Sequence, residues 1–182
     1  MEYTHVKHTF LPVYNEESRI LILGSFPSVK SRENQFYYGH PQNRFWKVIA
    51  GIFKEPLPQT IDEKEDLLLR HRIAVWDVID SCDIVGSSDS SIRNVVPNDM
   101  NLILSNAKIQ GIFANGGKAH QLFVKYCHKE GMPPLGKLPS TSPANAAWNL
   151  ERLTAEWKTA FETYLEITEQ EKTFEKRRND NG

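Results

Sequence analysis

Apolar residues follow two rhythms along this chain. Ile20–Gly24, Ile73–Val78 and Ile109–Ala114 are short apolar runs and read as buried strands. Elsewhere apolar positions recur at three and four, which predicts helices. One helix is predicted over Asn43–Phe53, with Phe45, Trp46, Val48, Ile49, Ile52 and Phe53 on its apolar face, and Pro56 and Pro58 end it. Another passes through Leu67-Leu68-Leu69 behind a capping box, Thr60 with Glu63 three residues on. Asn98-Asp99 opens a short helix through Leu102-Ile103-Leu104, and Asn115-Gly116-Gly117 turns into a helix from Lys118 to about Lys129. A long amphipathic helix is predicted from about Asn145 to Ile167, striped by Trp148, Leu150, Leu153, Trp157, Phe161, Tyr164 and Leu165. Gly131 to Leu138 holds loop breakers and one short strand, and Asp80 to Ser91 reads as a polar loop.

Strands alternating with helices imply an α/β fold, a parallel sheet with helices on both faces. The 182 residues suit one domain, expected over 1–168, with 169–182 as a charged C-terminal tail. Composition changes the picture little: 40% hydrophobic and 25% charged residues are ordinary globular values. The net charge of -1 is more informative. A polyanionic partner would have to be held by a local patch and by backbone N–H groups rather than by bulk charge. Two cysteines, Cys82 and Cys127, form no C-x-x-C pair and are expected to be reduced thiols, too few for an iron–sulfur cluster. The N-terminus lacks signal-peptide features and no apolar run is long enough for a bilayer, so a soluble intracellular protein is expected.

The unusual residues fall just past the predicted strands, at Gly24–Ser28, Asp77–Ser91, Asn115–Gly117 and Ser140–Ser142. In a parallel sheet these carboxyl ends form the rim of a binding site. The first is the richest: Gly24-Ser25-Phe26-Pro27-Ser28, then Phe36-Tyr37-Tyr38-Gly39-His40-Pro41-Gln42-Asn43-Arg44-Phe45-Trp46. Gly24 leaves room for close backbone approach, and Tyr38 could stack on a planar ring, worth about 1–3 kcal/mol per base. One of Tyr37 and Tyr38 is expected in the core. Asn43 precedes a helix, where Asn is a favoured cap. Its amide could instead orient a water or a ligand edge, though it cannot take up a proton as a carboxylate would. Ser140, Thr141 and Ser142 lie between two prolines and could bond phosphate, or form an ordinary surface turn. Gly116-Gly117-Lys118 could receive a phosphate at a helix start. Asp77, Asp80, Asp83 and Asp89 are candidates for acid–base chemistry, with Asp83 more naturally solvated; Ser87, Ser88, Ser90 and Ser91 suggest a flexible loop. His120 and His128 lack a zinc spacing, which leaves His40 as the one site histidine, and no nucleotide-binding glycine motif appears.

The long first motif resembles that of the uracil-DNA glycosylase superfamily, closest to the hypoxanthine-DNA (deoxyinosine) glycosylase branch. Leu138-Pro139-Ser140-Thr141-Ser142-Pro143-Ala144-Asn145 resembles the second motif, and Asn115-Gly116-Gly117-Lys118-Ala119 the junction between them. The resemblance implies a three-layer α/β/α fold with a four-stranded parallel sheet. It implies a monomer acting on damaged DNA, with no metal and no cofactor, that hydrolyses the bond between a deaminated base and deoxyribose. Gly24, Ser25, Phe26, Tyr38 and Asn115 would line the base, with Tyr38 stacking on it. Ser28, Ser140, Thr141 and Ser142 would touch DNA. Mismatch-specific uracil relatives carry a polar, water-activating residue where this chain has Phe26. The catalytic amide of the hypoxanthine branch corresponds to Asn43. This shifts the expected substrate from uracil toward hypoxanthine. A mismatch-specific uracil glycosylase and a catalytically silent DNA-binding module on the same fold are the alternatives.

Overall fold

The computed structural model describes residues 2–167. In chain order its elements are β1 (Thr4–Lys7), β2 (Ile20–Gly24), α1 (Val29–Asn34), α2 (Phe45–Phe53), α3 (Ile61–Arg70), β3 (Ile73–Asp77), β4 (Ile79–Ile84), β5 (Arg93–Pro97), α4 (Asn101–Leu104), β6 (Gly111–Asn115), α5 (Gly117–Tyr126), β7 (Leu135–Leu138) and α6 (Leu150–Phe161).

The apolar runs become a four-stranded parallel sheet in the order β3-β2-β6-β7. Every residue of β2 and β3 is buried, as expected for parallel strands covered on both faces. The chain runs from β2 outward to β3, then crosses back over β2 to β6. The strand order therefore reverses beside β2, where parallel sheets open a crevice at their carboxyl ends. Register aligns that edge: Gly24 pairs with Asp77, Leu23 with Ala114, and Asn115 with Leu138.

The structure departs from the sequence reading in four places. The polar stretch from Asp80 to Ser91 is not all loop, because β4 is the middle strand of an antiparallel sheet, β1-β4-β5. Its pairing with β5 shifts register twice, so inward and outward residues do not alternate cleanly: Ser81 and Cys82 are both buried, Asp80 and Asp83 less so. The rest of that stretch is tied down rather than free. Val29 N donates to Ser87 Oγ at 2.8 Å, Arg32 to Gly86 O at 2.9 Å, and Val85 N to Ser91 Oγ at 2.9 Å. A short helix, α1, enters the first motif, with Ser28 Oγ capping it by accepting from Ser31 N. The last helix begins at Leu150, not near Asn145, because the carbonyls of Ser142, Asn145 and Trp148 turn onto the Arg44 guanidinium instead of an α-ladder. The charged tail expected at 169–182 lies outside the described residues.

The Thr60 capping box forms with a small variation. Thr60 Oγ1 accepts from Glu63 N at 3.1 Å, and the Glu63 carboxylate accepts from Gln59 N, one residue before the cap. Both cysteines are free and buried, and burial pushes each thiol up to about 11, so both stay protonated. Among the described residues no helix is long and apolar enough to cross a membrane.

Candidate active site

A cleft of about 300 Å³ opens at the aligned strand ends, and all four loops singled out in the sequence reach it. Its lining includes Gly24, Ser25, Phe26, Ser28, Tyr38, Asn43, Asn115, Ser140, Thr141 and Ser142, every residue to which the resemblance gave a role. His40 lines it too. Of the four acidic candidates only Asp77 and Asp89 do. Asp83 instead holds His5 and Asn94 on the antiparallel sheet.

The aromatic residues divide as the core requires. Tyr37 is 2% exposed and donates its hydroxyl to Leu11 O at 2.9 Å. Tyr38 is half-buried and stacks on the core residue Phe45, with ring centroids 4.0 Å apart and planes at 20°. Phe45 covers one face of the ring, and Tyr38 lines the cleft. Tyr38 sits at φ +52, the left-handed region, which is uncommon for a bulky residue and costs about 1–3 kcal/mol. Its buried Oη makes no hydrogen bond, although the Asn115 amide approaches it without closing one. Burial first, then the charge of Asp77, holds the phenol well above its ordinary value.

Asn43 resolves the choice between helix start and ligand by using the two ends of its amide. Its Oδ1 accepts from Phe45 N at 2.9 Å and from Thr141 Oγ1 at 2.9 Å. A backbone N–H can only donate, so the atom it meets is oxygen, and the nitrogen is the end left free. With both Oδ1 lone pairs taken, Nδ2 can hold a water but cannot accept its proton.

Thr141 is fully buried and its hydroxyl is engaged within the protein. Its hydroxyl accepts from Asn115 Nδ2 at 3.0 Å and donates to Asn43, while Thr141 N donates to Asn115 Oδ1 at 3.1 Å. It is a joint between the amide just before α2 and the amide that ends β6. Ser28 likewise spends its hydroxyl proton on Ser31 Oγ. Ser140 and Ser142 differ. Each Oγ accepts a backbone N–H, from Ser142 and Ala144, and keeps its own proton for an outside acceptor. Ser25 donates to Asp89 at 2.8 Å. The Asp89 residue is largely exposed, but its carboxyl turns inward to Ser25. Desolvation there raises it above the usual carboxylate range against the lowering pull of Ser25 and Lys118.

Two features escaped the sequence reading. Arg44 clamps the second motif, with its guanidinium donating to the carbonyls of Thr141, Trp148, Ser142 and Asn145. The signal was present, an arginine beside the Asn of the first motif, but its partners lie about a hundred residues away. His8 is buried and pairs through Nε2 with Asp77 Oδ2 at 2.8 Å, with no local signal at all. Gly24 is needed because a Cβ there would lie 2.4 Å from Asp77 Oδ1.

A parallel α/β sheet with an aromatic, amide-lined cleft at its switch point defines a class of proteins that receive a flat ligand at the strand ends. The chain belongs to the uracil DNA glycosylase superfamily, whose family model matches residues 11–166. It is 36% identical over 159 residues to a hypoxanthine DNA glycosylase of Methanosarcina acetivorans, covering 86% of this chain and 98% of that protein. A Methanosarcina barkeri protein of the same name is 35% identical over 116 residues, covering 62% of this chain and 73% of that one. The solution NMR structure of a candidate uracil DNA glycosylase from Methanosarcina acetivorans superposes with a TM-score of 0.69 at 34% identity, covering 84% of this chain and 94% of that one.

Proposed function

We propose that this protein excises hypoxanthine from DNA, leaving an abasic site, with Asn43 as the catalytic amide. The observation that carries the reading is the division of the Asn43 side chain. Its oxygen is locked by Phe45 N and Thr141, and its nitrogen is left to the cleft. Phe26, at the motif position where a polar group would activate water, is apolar and buried. No carboxylate of the first motif is available as a base. An oriented but undeprotonated water suits a dissociative reaction, in which the bond to the base breaks first and the sugar becomes oxocarbenium-like.

In this reading the damaged nucleotide is flipped out of the duplex, at a cost of a few kcal/mol that is smaller where pairing is already weak. Its base stacks on Tyr38. The second Nδ2 hydrogen of Asn115 stabilises charge on the departing base. Ser140, Ser142 and the N-terminus of α5 bond phosphates. The chemistry proposed for these residues needs neither a metal nor a cofactor.

The test is a set of duplexes carrying hypoxanthine, uracil or xanthine, scored for abasic sites under single-turnover conditions. Hypoxanthine should be released fastest. Preferential release of uracil would transfer the protein to the uracil-excising relatives, and binding without abasic sites would make it a silent module.

A further inference from the structure

The floor of the cleft holds a polar group that the proposed excision has not used. Asp77 closes β3 opposite Gly24 and is 4% exposed. A buried carboxylate needs donors, and His8 supplies one to Oδ2 at 2.8 Å. Oδ1 makes no hydrogen bond among the described residues, and it lies where a side chain at position 24 would stand. A neighbouring hydroxyl on that side, Tyr38 Oη, is buried and unpartnered. Two polar atoms without protein partners at the base of a cleft point to a polar edge of the ligand.

We propose that Asp77, held in place by His8, reads the ring N–H that deamination creates, and so separates hypoxanthine from adenine. This rests on the excision reading above. Deamination changes adenine at two adjacent positions: the amino group becomes a carbonyl, and N1 changes from a bare acceptor to an N–H donor. The second change is the one a carboxylate detects, since an ionised carboxylate can only accept. Hypoxanthine N1–H would donate to Oδ1. Adenine N1 would set a lone pair against it, leaving both buried acceptors unsatisfied, and a site built around one hydrogen bond discriminates strongly against a ligand lacking the partner. Guanine also carries N1–H, so Asp77 acts against adenine and leaves guanine to other contacts. Phe26 packs edge-on to His8, with ring centroids 6.3 Å apart, and is itself buried.

The test is equilibrium binding of uncleavable duplexes containing 2′-fluorodeoxyinosine or 2′-fluorodeoxyadenosine, by the wild-type protein and by Asp77→Asn. The substitution keeps the volume and the bond to His8. With His8 Nε2–H donating, the amide places its oxygen on His8 and presents its NH₂ to the cleft. The wild type should prefer the inosine duplex, and Asp77→Asn should lower that preference by about 10- to 100-fold, the size of one hydrogen bond to a charged acceptor. Both proteins should bind a duplex with a tetrahydrofuran abasic analogue equally, which reports an intact fold. An unchanged preference in Asp77→Asn overturns the proposal and leaves the excision reading standing. A substrate-side measurement needs no variant: wild-type protein that binds N1-methyl-2′-fluorodeoxyinosine as tightly as the unmethylated base also overturns it. A wild-type protein blind to inosine overturns both readings.

Discussion

The two sides of the cleft are built on opposite principles. On the side of Asn43, Thr141, Asn115 and Arg44, nearly every polar atom has a protein partner: two amides share one threonine, and a guanidinium gathers four carbonyls. On the side of Asp77 and Tyr38, a carboxylate oxygen and a phenol are left without one. Satisfied networks fix geometry, whereas unsatisfied buried groups cost stability unless something else completes them. One side therefore sets the position of the reacting water, through the one free end of Asn43, and the other receives the base. The contrast can be broken from either side, because substitutions on the satisfied side should cost stability and those on the unsatisfied side should cost recognition.

The largest expected effect is on catalysis. Asn43→Ala should lower single-turnover excision by about 10²–10³, as loss of one positioned active-site donor does. The loss of the bonds to Phe45 N and to the buried Thr141 hydroxyl should cost about 1–3 kcal/mol of stability. Next is Arg44→Lys, which keeps the charge and loses the planar fork. A lysine cannot reach four carbonyls, so denaturant unfolding should show a loss of about 2–4 kcal/mol, with excision falling alongside it. Thr141→Val keeps the shape, strands Asn115 Nδ2 and leaves Asn43 Oδ1 with Phe45 N as its one donor, which should cost about 1–3 kcal/mol on the same assay. Tyr38→Phe sharpens the comparison, because it removes a hydroxyl that bonds nothing. Its melting temperature should be unchanged or higher while capture of the flipped base weakens; a clear loss of stability would show that the hydroxyl is satisfied within the protein.

The smallest effect is on pH dependence. Burial raises the Tyr37 and Tyr38 phenols in the folded state. The unfolded chain ionises near pH ~10 while the folded one does not. Stability from these groups is therefore full below that pH and is lost as pH rises above it. Melting curves should show this alkaline decline, shallower in Tyr38→Phe, and excision should show no tyrosine inflection up to pH ~10.

Much of this was legible in the sequence, and what was not shares a cause. The parallel sheet followed from Ile20–Gly24 and Ile73–Val78, because a strand buried on both faces writes itself as an unbroken apolar run. The rim followed from the odd residues after each strand. The antiparallel sheet was hidden because β4 pairs irregularly, so its side chains do not alternate. The internal partners of the Thr141 and Ser28 hydroxyls were not legible because a hydroxyl's partner is not a local property. Thr141 meets Asn43 across 98 residues and Asn115 across 26, and no spacing rule joins them. His8 and Asp77, 69 apart, are the same case. Sequence pattern reports which face a residue buries, and only the assembled sheet reports which groups are left over.

The most direct test is mass-spectrometric measurement of free hypoxanthine released from a duplex with a single deoxyinosine, by wild-type protein and by Asn43→Ala in parallel. A hypoxanthine glycosylase acting through Asn43 gives stoichiometric release by the wild type and at least a hundredfold slower release by the variant, with the rate constants set by the loss of one positioned donor (about 10²–10³). No free base from the wild-type reaction, or equal rates from the two proteins, would contradict it.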